Sequence, residues 1–227
     1  MTARLLVLDI DGTITDRQRK LNLRAAEAMR KAEERGLKIC LASGNVLPFV
    51  DAVATMIGIS GPLIAEDGGV LLINKKMRLL GGREEVDRAL EVLKRELGVV
   101  ETRSSPFRLA GGAIERTVSV EDVRKTLILH GFNLAVVDSG FAIHIKEPHV
   151  NKGNALRAVA ESLGIPLEEI VAVADGPNDI ELLKTAGKSF AVADSPDDVK
   201  RICTGVTNSP DGDGVIEVIE AILAGLL

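Results

Sequence analysis

The residues best equipped for chemistry in this 227-residue chain are acidic and stand where apolar runs stop. Asp9 and Asp11 follow the run Arg4 to Leu8 and lead directly into Gly12 and Thr13. Strand alternation points residues two apart the same way, and Gly12 lets the chain turn at once, so the two carboxyl groups can converge. Carboxylates about 5 Å apart repel by roughly 3 kcal/mol at an effective dielectric near 20, so a buried pair shares a proton or holds a cation. The plainer alternative is an acidic strand-end turn that caps the next helix. A second acidic turn, Asp175-Gly176-Pro177-Asn178-Asp179, also follows an apolar run and opens a helix. If Asp175 joins Asp9, hard oxygen donors with no clustered His or Cys favour magnesium over zinc. Otherwise Asp175 and Asn178 simply cap that helix, with Asp179 favouring its positive end.

Lys152, in Asn151-Lys152-Gly153, starts a predicted helix where its charge opposes the helix dipole and calls for a negative partner. A phosphate would satisfy both the ammonium and the exposed amides, whereas a solvated surface lysine bears only a small penalty. Ser43-Gly44-Asn45 offers a hydroxyl, an amide and backbone N–H groups to phosphate oxygens, as any such turn would. The informative feature is the order: an acidic turn, a hydroxyl turn, a lysine and a second acidic turn, each beside a strand end or helix start.

Bringing these loops together requires a particular scaffold. Asn22 can cap a helix carrying Leu23, Ala26, Met29 and Ala32, which Gly36 stops before the strand Leu37 to Ala42. Pro48 suits the first turn of a helix whose buried face is expected to be Phe49, Val53 and Met56, and the strand Leu63 to Ala65 follows. Strands alternating with helices imply an α/β fold, a Rossmann-like parallel sheet covered on both faces with functional loops at the strands' C-terminal ends. After about Gly82 the rhythm changes. A helix through Val86, Leu90, Leu93 and Leu97 precedes a strand from Ala113 to Val118, and Ser119 with Asp122 resembles a capping box for a helix running to Gly131. Strands Leu134 to Val137 and Phe141 to Ile145 then flank the turn Asp138-Ser139-Gly140. A hairpin cannot be a parallel crossover, so 83–150 reads as a smaller α+β cap domain inserted in a core made of 1–82 and 151–227. The alternation resumes with a helix through Ala155, Val159 and Leu163, the strand Ile170 to Ala174, a helix after Asp179, the strand Ser189 to Ala193 and a last helix near Gly214.

Taken in order, Asp9 to Thr13, Ser43 to Asn45, Lys152 and Asp175 to Asp179 resemble the motifs of the haloacid dehalogenase-like superfamily. The insertion resembles that superfamily's second cap type, and the run Ser43-Gly44-Asn45-Val46-Leu47-Pro48 resembles archaeal-type phosphoglycolate phosphatases. The resemblance implies Asp9 as nucleophile and Asp11 as acid and base. It also implies Ser43, Gly44, Asn45, Lys152 and Asn178 as substrate-binding residues, and Mg2+ held through Asp9, Asp11, Asp175 and Asp179. Asp67 stands where relatives commonly carry Asn, and Ala174 where Gly often precedes the metal aspartate. Arg103, Arg108, Arg116 and His144 are each able to meet a substrate carboxylate, but each reads equally as a solvated or structurally paired side chain, and none is singled out.

Composition narrows the classes. With 46% hydrophobic residues the chain can bury a sizeable core, and a net charge of −5 argues against a general nucleic-acid or anionic-membrane binder. No Trp or Tyr and five Phe leave little for base stacking, so the expected partner is a small phosphorylated metabolite, with a homodimer left open. Cys40 and Cys203 are too few for a disulfide framework, which fits a reducing cytoplasm. The competing readings are a sugar-phosphate phosphatase or phosphomutase using the same loops, and a receiver-like module that accepts phosphate without ester turnover, which the insertion disfavours.

Overall fold

The computed structural model describes residues 3–227. In chain order the elements are β1 (Leu5–Asp9), α1 (Leu23–Glu34), β2 (Lys38–Ala42), α2 (Leu47–Ile57), β3 (Leu63–Ala65), β4 (Val70–Ile73) and β5 (Lys76–Leu79). Next come α3 (Glu84–Leu97), β6 (Gly112–Ile114), α4 (Val120–Leu129), β7 (Ala135–Asp138) and β8 (Ile143–Lys146). The chain finishes with α5 (Lys152–Leu163), β9 (Ile170–Ala174), α6 (Ile180–Thr185), β10 (Lys188–Ala191), α7 (Asp197–Lys200), β11 (Gly205–Val206) and α8 (Asp211–Leu223).

An eight-stranded sheet in the order β11-β10-β9-β1-β2-β3-β4-β5 forms the core. Its central strands are apolar throughout because both faces are covered. Leu6 and Leu8 of β1 pack with residues of α1, α2 and α8 on one side. Leu5 and Val7, pointing the other way, pack with residues of α5 and α6. From β11 to β3 the pairing is parallel, as alternation of strands and helices predicts. The edge differs: β4 and β5 add antiparallel, two strands that the sequence reading does not contain. They are joined by the two-residue loop Asn74-Lys75, whose φ values of 50° and 62° are those of a tight hairpin turn. Lys in place of the usual Gly hides that turn from a sequence scan.

β6, β8 and β7 form a separate antiparallel sheet. Its apolar face shares a core with Val86, Leu90 and Leu93 of α3 and Val123 and Leu127 of α4. Ser119 caps α4 by accepting from the Asp122 N–H at 3.0 Å, and its hydroxyl donates back to the Asp122 carboxylate. Among the described residues no helix is long and apolar enough to cross a membrane.

The buried face of α2 is not the one expected. Phe49 and Met56 are exposed, Met56 by 77%, and the residues turned inward are Val50, Ala54 and Ile57. Both sets recur at helical spacing, and the helix sits rotated by one residue toward the sheet. Truncating Ile57 to Ala is therefore expected to cost about 2–5 kcal/mol in urea unfolding. Met56→Ala is expected to change stability by less than about 0.5 kcal/mol, and equal costs would contradict this orientation.

Candidate active site

From β1 the chain steps outward through β2 and β3, and from β9 it steps the opposite way through β10 and β11. A crevice opens at the carboxyl ends of strands where the order reverses, here between β1 and β9. Leu8 lies opposite Val173, which brings Asp9 and Asp175 to the same edge. Gly12 has φ +88°, and a Cβ there would stand 2.5 Å from Asp175 Oδ2, so only glycine lets the first turn fold against the second aspartate. Thr13 Oγ1 donates to Asp175 Oδ1 at 3.1 Å.

Asp179 enters from the turn preceding α6, and one carboxylate oxygen from each of Asp9, Asp175 and Asp179 lies within 4.8 Å of the others. Lys152, the first residue of α5, is fully buried, and its Nζ donates to Asp9 Oδ1 and to Asp179 Oδ1, both at 2.5 Å. The negative partner that its place on the helix demands is thus this carboxylate pair. Burial alone would lower the lysine's pKa, but Asp179 and Asp9 hold it above its ordinary value. Burial raises Asp9 well above the usual carboxylate range, with Asp179 adding to the effect and Lys152 opposing it. Burial likewise raises Asp179, and burial together with Asp179 pushes Asp175 up to about 7.

Three acids against one ammonium leave an excess of negative charge, and Asp179 Oδ2 is buried with no hydrogen-bond partner. That donor set, all hard oxygen, fits a divalent cation. The Asp11 carboxylate lies outside this three-carboxylate cluster. It turns instead to Arg19 Nε at 2.7 Å and Asn45 Nδ2 at 2.7 Å. The Arg19 guanidinium lies over the rings of Phe49, at 5.6 Å, and Phe141 of the inserted unit, at 5.5 Å. Nothing in the spacing of the sequence marks Arg19, because its partners come from three separate segments.

A cavity of about 160 Å³ separates these loops from the small sheet. Asp9, Asp11, Gly44, Asn45, Asp175 and Asn178 reach its wall, whereas Ser43, Lys152 and Asp179 lie behind it. The Ser43 hydroxyl accepts from the backbone and side-chain N–H of Asn45 at 3.1 and 3.0 Å, so it braces a wall residue.

Next to Gly44 stand Glu66 and Asp67, which have φ values of 52° and 56° in the tight turn after β3. The Glu66 carboxylate accepts the Leu109 and Ala110 N–H groups at 2.9 Å. Asp67 Oδ2 lies 2.9 Å from His144 Nδ1, 3.9 Å from Lys146 Nζ and 4.0 Å from Arg108 Nη2. Although burial would raise it, the Asp67 carboxyl is held well below its ordinary value by His144, Lys146 and Lys152. An Asp at this position therefore answers cations of the inserted sheet. Of the four residues weighed for a carboxylate, Arg108 and His144 reach the cavity. Arg116 is paired with Asp138 at 2.9 Å, and Arg103 is exposed.

A family model described as haloacid dehalogenase-like hydrolase matches residues 6–94 and 113–219. The chain belongs to that family. Among relatives of this haloacid dehalogenase-like hydrolase, a phosphoglycolate phosphatase of Methanothermobacter thermautotrophicus is 39% identical over 220 residues, 97% of this chain and 99% of that protein. Another phosphoglycolate phosphatase, from Archaeoglobus fulgidus, is 38% identical over 99% of this chain and 98% of its own length. A Thermoplasma acidophilum crystal structure superposes with a TM-score of 0.92 at 25% identity, covering both chains completely.

The acidic cluster makes cation binding and protonation compete. In the metal-free hydrolase a folded Asp175 pKa of about 7, against an ordinary 3.8, gives stability that is complete below about pH 4 and is lost as pH rises through 7. A divalent cation takes the proton's place, so the rise in Tm on adding MgCl2 is expected to grow from pH 5 to pH 8. A magnesium-induced shift that is flat across that window would contradict competition at this site.

Proposed function

We propose that the protein is a magnesium-dependent phosphatase that hydrolyses 2-phosphoglycolate to glycolate and phosphate through an aspartyl-phosphate on Asp9. The carrying observation is the state of the Asp9 carboxylate. Lys152 engages Oδ1, no hydrogen bond among the described residues occupies Oδ2, and the residue borders the cavity. The near full-length similarity to phosphoglycolate phosphatases supports the substrate.

In this mechanism an Asp9 oxygen attacks phosphorus in line and the ester P–O bond breaks, while Asp11 gives its proton to the departing glycolate oxygen. Asp11, oriented by Arg19 and Asn45, then takes a proton from water as that water attacks the phosphorus. The Asp9–phosphate bond breaks, and phosphate leaves. Magnesium held by Asp9, Asp175 and Asp179 supplies neutralisation of the phosphoryl charge. Lys152 fixes Asp9, and Gly44, Asn45 and Asn178 border the space for phosphate oxygens. We take 1–82 with 151–227 as the catalytic core and 83–150 as a cap that excludes water from the reaction.

A cavity of about 160 Å³ favours a two- or three-carbon leaving group over a hexose, since drug-sized ligands occupy roughly 300–1,000 Å³. A cap sheet closing over the acids also sets the chain apart from a receiver-like module. Its two cysteines are free, which suits a reducing cytoplasm. The test is phosphate release from a panel of phosphoglycolate, hexose phosphates and nucleotides with and without MgCl2. Phosphoglycolate is expected to lead in kcat/KM only with the metal present, and Asp9→Asn to lower kcat by on the order of 10⁴-fold or more. A leading hexose phosphate would overturn the substrate, and near-normal turnover by Asp9→Asn the covalent mechanism.

A further inference from the structure

We propose that the Arg108 guanidinium, beside His144 on the cap wall, is the binding subsite for a carboxylate on the substrate's leaving group, an inference that rests on the phosphatase reading above. The Arg108 side chain is 3% exposed, yet the nearest carboxylate oxygens, of Glu66 and Asp67, stand 4.0 Å away. Nε stands 4.0 Å from Glu66 Oε2 and makes no hydrogen bond among the described residues. Nη2 stands 4.0 Å from Asp67 Oδ2. Neither acid closes on the guanidinium. Glu66 accepts from the Leu109 and Ala110 N–H groups, and Asp67, whose oxygens accept no hydrogen bond among the described residues, lies nearer His144 Nδ1, at 2.9 Å, than Arg108.

His144 answers only one arm of the guanidinium: its Nδ1 lies 3.4 Å from Arg108 Nη2 and 2.9 Å from Asp67 Oδ2, so guanidinium and carboxylate compete for a single ring nitrogen. The other ring nitrogen, Nε2, lies 3.1 Å from Ser139 Oγ. A guanidinium with an unpartnered Nε and long contacts at Nη2 is thus fixed at the border of the cavity that Asp9 and Asp11 also line. Burying such donors without partners is costly, and the group whose geometry answers them is a carboxylate, which accepts two parallel N–H bonds. The substrate class that follows is a short phosphooxy acid, with the phosphoryl group at Asp9 and the acid group at Arg108. Lys146 does not compete for this role, because it is buried and lies off the cavity wall, 3.9 Å from Asp67.

The experiment compares 2-phosphoglycolate with 2-hydroxyethyl phosphate, nearly the same size but uncharged at the far end, in the native enzyme, Arg108→Met and Arg108→Lys. The quantity read is the ratio of kcat/KM for the two esters, with inhibition by glycolate as an independent measure of carboxylate binding. The ratio is expected to fall roughly 100-fold in Arg108→Met and by more than about 10-fold in Arg108→Lys, which keeps the charge but lacks the fork. Glycolate inhibition is expected to weaken alongside. If Arg108→Met fails to fold because Glu66 and Asp67 lose their neighbouring charge, Arg108→Lys decides. A native enzyme that prefers phosphoglycolate, with variants that keep the preference and the glycolate inhibition, overturns the subsite and leaves the phosphatase reading standing. A native enzyme that handles both esters equally overturns the subsite and the glycolate assignment together, and one that hydrolyses neither overturns the phosphatase reading itself.

Discussion

One ammonium holds the chemistry together. Lys152 is fully buried at the first position of a helix, where the local dipole is least welcoming to a cation, and it is there because Asp9 and Asp179 meet its Nζ at 2.5 Å. An isolated charge at that depth would cost several kcal/mol, and the paired geometry offsets that cost. The arrangement demands close approach of α5 to α6. A Cβ on Gly153 would stand 2.4 Å from the Glu181 carbonyl oxygen, so the glycine next to the lysine lets the helix come near enough for both carboxylates to be reached. Sequence, packing and charge therefore meet at one dipeptide.

The same charges extend across to the inserted sheet. Asp67, whose ionised form Lys152 also favours, faces His144, Lys146 and Arg108, so the acids of the core alternate with cations from both units. Backbone conformation supports this alternation. Glu66 and Asp67 both occupy left-handed φ values that side chains adopt reluctantly, and the turn they form sends one carboxylate to the backbone of the 109–110 segment and the other to His144. A neutral amide at position 67 would take away the carboxylate that faces Lys146 and would leave Arg108 only Glu66 as a counter-charge. The acid at this position and the cations of the cap sheet are best understood as one set.

Much of this is legible in the chain before any coordinates. Apolar runs ending in Asp9 and Asp175 mark strand ends, and the periodicity around Ala155 and Val159 places Lys152 at a helix start. These signals are local, since each rests on hydrophobic patterning within one element. What escapes is set by rotation or by distance. The face of α2 is ambiguous because Phe49 and Met56 repeat as regularly as Val50 and Ile57, and which set is buried depends on how the helix meets the sheet. The β4–β5 hairpin escapes because its turn uses Asn74-Lys75 at positive φ without a glycine. The partners of the Asp11 carboxylate, Arg19 and Asn45, escape as well, because tertiary folding brings them to it.

The strengths of these contacts are distributed in a way that suits turnover. Deep in the site Lys152 is locked between two carboxylates with no solvent to screen them, which fixes the orientation of Asp9. At the rim the Arg19 guanidinium bridges Phe49 on the core and Phe141 on the insertion through ring contacts, with its side chain 41% exposed. Contacts of that kind contribute only about 0.5–1 kcal/mol each at exposed positions. Arg19 also binds the Asp11 carboxylate, so the position of the cap rim and the aim of the proposed acid are linked through one side chain. In the proposed mechanism that linkage would tie proton transfer from Asp11 to a closed cavity.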